Sequence, residues 1–332
     1  MHKDLGTVTL KTGETMQVMR VRVPDETYGP QIRQLLGHKG EIWLWQVDAG
    51  LNTDLPIDHF YYLLLKNGKA ISNVTVVEHR GIGTYGHVWT VPEERRKGAA
   101  DALMERIMAD FHKREVRMMT LGTGFDSHPY RLYQKHEFKG TEDLNGTMIY
   151  YGSSEAEFWK KALRGLKNNL EVRPFDWTGF PSATALFCLP GPGRMRSAMN
   201  ETFGPSTPEG PLLQTLKDTL GRPNGPRFAK VLMHKKTAVS IGYAQLTPDP
   251  RFYNQTHVLD LWSLPSTWKL ALQLIEAMPL AGKKVHVYVD AESVPKMKLV
   301  RKAGFKREAR LHGAMLAQNR SRLDVEIWAK EG

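Results

Sequence analysis

At 332 residues the chain is long enough for two domains of ordinary size, or one large one, and its 41% hydrophobic and 24% charged composition reads as globular with ample core material. No run approaches the roughly 18 apolar residues of a membrane helix, no signal-peptide pattern opens the sequence, and the single Cys188 excludes a disulfide framework, so a soluble, cytoplasmic protein is expected. The net charge of +11 and pI near 9.5 favour anionic partners, phosphorylated cofactors as much as nucleic acid.

In chain order, residues 15–23 alternate as a first strand, and 27–50 are expected to be helical with a break near Gly37 to Gly40. The run "HFYYLLLKNGKAISNVTVVEHRG" predicts two strands around Asn67-Gly68, a strong hairpin signal. A strand over about 84–91 leads into "VPEERRKGAADALMERI", whose second part predicts a helix over 98–113. "VRMMTLGTG" predicts the next strand and "DSHPYRLYQKHEF" a helix opened by Asp126, with Pro129 in its first turn. "GTMIYYG" closes the set. Further on, 155–168 is expected to be helical and "LEVRPFDW" a strand, while the Gly/Pro-rich 190–226 is expected to hold two helical pieces. Cys188, in the apolar "TALFCLP", reads as a buried small hydrophobe.

The chain also matches itself. "LLLKNGKAIS" at 63–72 aligns without gaps on "VLMHKKTAVS" at 231–240, and "LYQKHEFK" at 132–139 on "LVRKAGFK" at 299–306. This predicts two tandem copies of one fold, with domains at 1–152 and 153–332. The copies differ after their equivalent prolines: Pro92 is followed by a basic cluster and Gly98-Ala99-Ala100, whereas "WSLPSTWKLALQLIEAM" after Pro265 has neither.

A helix start with Arg95, Arg96, Lys97, Gly98, Ala99 and Ala100 suits an anion. Its first N–H groups lack intrahelical partners, small residues allow close approach, and the basic side chains add charge. There is no G-x-x-x-x-G-K-[ST], and no G-x-G-x-x-G that leads from a strand into a helix. The segment instead resembles the Arg/Gln-x-x-Gly-x-Gly/Ala hallmark of the GCN5-related N-acetyltransferase family, standing here as Arg95 to Ala100. The family's downstream Asn and Leu-Tyr-x-Lys-x-Gly-Phe appear as Asp126 and Leu132-Tyr133-Gln134-Lys135-His136-Glu137-Phe138, with Asp and Glu replacing Asn and Gly. The resemblance covers about 15–150 well, and about 170–330 resembles a degenerate copy. It implies an α/β (α+β) fold of two acyl-CoA N-acyltransferase units, each a mostly antiparallel mixed sheet flanked by helices.

The same resemblance implies acetyl-CoA or coenzyme A as cosubstrate, its pyrophosphate on the backbone of Arg95, Arg96, Lys97, Gly98, Ala99 and Ala100, and its pantetheine along Thr90 and Val91. A backbone N–H near Val91 would serve the oxyanion, and Tyr133 would protonate the thiolate leaving group. His87 is the candidate base, with Glu78 and His79 as neighbours; Val300 stands in place of Tyr133 in the second copy. The expected reaction is acetyl transfer to an amine of a small-molecule acceptor, without metal or membrane, in a monomer that forms an intramolecular pseudo-dimer; a homodimer is the alternative. A non-transferring acyl-CoA binder or a decarboxylase-like module is the rival. Dispersed lysines and arginines argue against a nucleic-acid partner.

Overall fold

The computed structural model describes residues 1–222, 224–317 and 320–332, and the chain divides into two compact units, Met1–Lys161 and Ala162–Gly332. The first unit runs β1 (His2–Thr9), β2 (Thr15–Arg22), α1 (Gly29–Leu35), α2 (Glu41–Asn52), β3 (Asp58–Lys66), β4 (Lys69–His79), β5 (Ile82–Thr90), α3 (Ala99–Lys113), β6 (Met118–Gly122), α4 (His128–Lys135), β7 (Lys139–Gly140), β8 (Thr147–Tyr151) and α5 (Glu155–Ala162). The strands form one sheet ordered β1-β2-β3-β4-β5-β6-β8-β7. It is antiparallel except where β5 meets β6.

Asn67 (φ 51°) and Gly68 (φ 76°) turn the β3–β4 hairpin, both in the left-handed region that a tight two-residue turn of this kind demands. The β3 segment Tyr61 to Leu65 is a continuous apolar run because both of its faces are covered. Tyr62 and Leu64 pack with Leu103, Ile107 and Phe111 of α3 and Tyr133 of α4. Tyr61, Leu63 and Leu65 pack with Ile32 and Leu35 of α1 and Val47 of α2.

A buried ionic network ties α3 to the sheet. Asp110 accepts hydrogen bonds from Arg20 at 2.8 and 2.9 Å, the Tyr62 hydroxyl at 2.7 Å and Arg114 Nε at 2.9 Å. Arg114 also pairs with Glu78.

The second unit runs β9 (Leu170–Pro174), α6 (Phe180–Cys188), β10 (Met195–Ser197), β11 (Thr202–Phe203), α7 (Glu209–Thr219), β12 (Phe228–His234), β13 (Ser240–Pro248), β14 (Thr256–Ser263), α8 (Leu272–Glu276), β15 (Lys284–Asp290), α9 (Val294–Lys302), β16 (Lys306–Leu316) and β17 (Arg322–Glu331). Its main sheet is ordered β9-β12-β13-β14-β15-β17-β16, with β14–β15 as its parallel pair; β10 and β11 pair separately. Taken from β2 onward, the two strand orders correspond one to one, and the aligned segments fall on corresponding elements: β3–β4 with β12–β13, and α4 with α9. Each unit is thus a mostly antiparallel mixed sheet flanked by helices.

Several local expectations are revised. Ser127, not Asp126, caps α4, its Oγ accepting from the Tyr130 N–H at 3.3 Å. Strand β1 and helix α6 over the "SATALFC" run have no counterpart among the sequence expectations. Segment 190–226 holds one helix, α7, among its described residues; its other regular structure is the β10–β11 pair. Cys188 is fully buried, as expected. Among the described residues no helix is long and apolar enough to cross a membrane.

Removing one partner from a buried ion pair leaves the other charge uncompensated. Asp110→Ala should therefore cost about 3–5 kcal/mol in urea denaturation. Arg33→Ala, which breaks an exposed pair with Asp48, should cost under about 1 kcal/mol. Equal effects would show that the network does not anchor α3.

Candidate active site

The parallel contact between β5 and β6 lasts three residue pairs, Ile82–Met118, Gly83–Met119 and Thr84–Thr120, after which the strands part. A register shift against β4 lies just beyond, between Asn73 and Thr75, where His87 takes a left-handed φ of 49°. Such a bulge twists a strand away from its neighbour. The Asn73 Nδ2 donates to the His87 carbonyl at 3.0 Å and holds the bulge in place. Burial follows the parting: β5 is buried from Ile82 to Tyr85 and half-exposed from Gly86 to Thr90. Beyond Thr84 that edge of β5 has no strand partner among the described residues, although the Thr90 carbonyl accepts from Arg95 Nε at 2.9 Å, and it could bond an extended, amide-bearing ligand as another strand would.

Beyond β5 the chain makes a short turn at Pro92–Glu94 and starts α3. Gly98 caps the helix at φ 87°, in the left-handed region, and no side chain caps it. A Cβ at Gly98 would also come within 3.0 Å of Lys11 Cγ. The uncapped helix start opens into a cleft of about 650 Å³ lined by Thr90, Arg95, Arg96, Gly98, Ala99 and Ala100, and also by Lys11, His128, Arg131 and Lys135. Three of the four basic residues missed in the sequence, at 128, 131 and 135, share one face of α4, a spacing that could have revealed them. Lys11 could not be found that way. It arrives from the β1–β2 turn, its N–H donating to the Lys97 carbonyl at 3.1 Å.

Other candidates sit differently from expectation. The Lys97 ammonium is held by Glu94 at 2.8 Å, so only its backbone faces the helix start. The Val91 N–H donates to the Ile71 carbonyl at 2.9 Å and is not open to an oxyanion. Asp126 is exposed and paired with Arg131 at 2.9 Å. Glu78 lies in the α3-side ionic network, bound to Arg114, which removes it as a base. His79 pairs with Ile82 at the opposite end of β5 from Thr90.

Tyr133 is buried against Tyr85 of β5, ring edge to face at 5.6 Å, and burial pushes its hydroxyl up to about 12. His87 lies on the α1–α2 side, with Trp43 edge-on at 4.8 Å and Gln46 Oε1 3.4 Å from its Nε2. This enclosure, with the Lys39 and His38 charges nearby, lowers its pKa to about 4. His59 is fully enclosed, lowered to about 3 by burial and by His87.

In the second unit β14 leaves β15 after the same number of pairs, Thr256–Lys284 to Val258–His286. Here, however, β14 is buried from Val258 to Ser263. The chain's own segment 194–199 lies against the divergent strands. The N–H groups of Arg194 and Met195 donate to Asp290 at 3.0 and 2.9 Å, and those of Ala198 and Met199 to Asp260 at 2.7 and 3.1 Å. Ser197 Oγ adds a bond to Asp260 at 2.6 Å. Val300, in place of Tyr133, is fully buried.

No family model matches the chain, and no curated protein matches its sequence. Among solved structures it is similar to the ribosomal-protein-S5-alanine acetyltransferase from Vibrio fischeri, at 17% identity and TM-score 0.37, over 49% of this chain and 93% of that one. It is also similar to the spermidine N-acetyltransferase from Vibrio cholerae solved with CoA and spermine, at 16% identity and TM-score 0.35, over 49% of this chain and 95% of that one. The solved structures it resembles here are therefore acetyltransferases, each over about half its length.

Both depressed histidines predict acid sensitivity. Unfolded, His59 and His87 bind protons below about pH 6.5; folded, they stay neutral down to about 3 and 4. Between about pH 6.5 and 4 the unfolded state thus binds more protons, and stability falls as pH falls. Urea midpoints measured across that window should decline, and His87→Gln should make the decline shallower. An unchanged slope in the variant would show that His87 is not buried neutral.

Proposed function

We propose that the first unit transfers an acetyl group from acetyl-coenzyme A to an amine of a small-molecule acceptor, and that the second unit is a degenerate copy that binds no cofactor. The observation that carries this reading is the convergence of two features in one place: the unpaired edge of β5 and the uncapped, left-handed Gly98 start of α3. The first fits the amides of a pantetheine arm and the second a pyrophosphate. Arg95 and Arg96 add charge at the rim, while Thr90 and Val91 mark the end of the arm's track. Asp126 keeps a supporting role beside Arg131. The bound thioester would supply the activated acetyl group.

In this reading the chain's residues do three things. The β5 edge and the helix start fix the thioester at the bulge. His87, neutral at pH 7 with a pKa of about 4, accepts a hydrogen bond from the attacking amine but is a weak base. Tyr133 donates to the sulfur as the carbon–sulfur bond breaks. Its pKa of about 12 keeps it protonated throughout the assay range, so any descending high-pH limb from its ionisation lies near pH 12. The pH profile is therefore a poor probe of this tyrosine, and rate is the better one.

Coenzyme A should raise the melting temperature, and Ala100→Glu should abolish the rise. Substituting Gly98 would strain its left-handed backbone, whereas a carboxylate in the first turn of α3 favours the helix and opposes only the ligand. Calorimetry should give one site per chain, and two equivalent sites would overturn the degenerate-copy reading. Tyr133→Phe should lower turnover by about 10²–10⁴ while cofactor affinity changes by less than about tenfold. Full activity in that variant would return the tyrosine to a packing role.

A further inference from the structure

The acceptor side of the bulge has a charge character of its own. Trp89 contacts both the His38 ring, at 3.9 Å and 32°, and the Arg95 guanidinium, 4.4 Å from its ring centre. Trp43 closes on His87 from α2. Lys39, in the turn between α1 and α2, is half-buried and has no carboxylate partner among the described residues; the charges that act on His87 are Lys39 and His38. The nearby carboxylates are committed elsewhere. Asp48 is held by Arg33 at 2.5 Å, Glu94 by Lys66 and Lys97, and Glu41 sits exposed in the first turn of α2, where the helix start stabilises it.

The same face carries buried polar atoms with nothing to bond. Both ring nitrogens of His59, the Tyr61 hydroxyl and Asn73 Oδ1 have no hydrogen-bond partner among the described residues. Asn73 and Trp89 are opposed across the β4–β5 ladder, and so lie on one face of the sheet. Lys39 acts on His87 from the turn between the two helices that cover this face, and a half-buried ammonium without a counter-charge there points to an anionic group that belongs beside it.

Resting on the acetyl-transfer reading, we infer that the acceptor is an amine bearing an anionic group, a carboxylate or a phosphate-like oxyanion, which Lys39 receives beside Trp89 and its His38 and Arg95 contacts. A polycation would bring its charges toward Lys39, His38 and Arg95 and meet repulsion without compensation. The cations also help the chemistry. An ammonium entering a cationic, partly dehydrated site loses its proton more readily, which suits a site whose candidate base, His87, is weakly basic. The amine nitrogen attacks the thioester carbonyl, its proton passes to water or His87, the carbon–sulfur bond breaks, and the thiolate is reprotonated.

The test uses the full chain saturated with coenzyme A. Glycine, aspartate and 2-aminoethylphosphonate are compared with ethanolamine, putrescine and spermine, by thermal shift and calorimetry. Anionic amines should add to the coenzyme A shift and the others should not. Lys39→Glu should weaken the best anionic amine by about tenfold or more and leave the coenzyme A shift unchanged, whereas Lys39→Arg should retain binding. Equal or tighter binding of spermine, binding of neither class, or an unaffected Lys39→Glu variant would overturn the inference. Absence of the coenzyme A shift itself would instead overturn the acetyl-transfer reading, and this inference with it.

Discussion

The parting of β5 from β6 is the constraint on which the rest of the first unit depends. A parallel ladder that stops after three pairs leaves a strand with one bonded edge and one open edge in the middle of a sheet. Such an edge is normally covered or paired. Here the bulge at His87, held by Asn73, twists β5 away, and the chain leaves the strand through a short turn that brings the bare start of α3 to the same place. One break in the ladder thereby exposes backbone donors of two kinds, those of a strand edge and those of a helix N-terminus.

The second unit meets the same break and closes it. Segment 194–199 lies where β14 and β15 diverge, and its N–H groups end on Asp260 and Asp290. A buried carboxylate is tolerable when several donors satisfy it, and the two aspartates collect four backbone N–H groups and the Ser197 hydroxyl from this segment, besides the Glu292 N–H and Gln245 Nε2. The pairing of β13 with β14 runs without a register shift, so this unit has neither the bulge nor an exposed edge. Absence of a basic cluster after Pro265 is one difference between the two units. Filling of the gap is the other.

The two faces of the first sheet are electrically unlike. On the α3 side each buried charge has its counter-charge: Asp110 with Arg20 and Arg114, and Glu78 with Arg114. On the α1–α2 side the enclosed groups are imidazoles, a phenol and an amide; Lys39 and His38 act on His87, and Asp48, paired with Arg33, acts on Tyr61. A compensated face holds structure together. The other face keeps His87 neutral and leaves polar atoms for a visitor to satisfy, a division that the whole-chain charge of +11 conceals.

Much of this was written in the sequence because it rests on local rules. The Asn67-Gly68 hairpin, the helix break near Gly37 to Gly40, the basic Gly-Ala-Ala helix start and the mutual alignment of the two halves are all set by near neighbours. Sequence resemblance, through Leu132-Tyr133-Gln134-Lys135, singled out Tyr133. What it could not show were partners that are distant in sequence and near in space. Val91 spends its N–H on Ile71, Glu78 turns to Arg114, and Lys11 reaches the helix start through a hairpin. Segment 194–199, composed like a loop, takes its place from Asp260 and Asp290 more than sixty residues away. Composition and periodicity set which groups are present and which way an element faces. Which groups remain free to bind is a matter of hydrogen-bond and charge satisfaction, and the tertiary structure decided it because each donor can be spent only once.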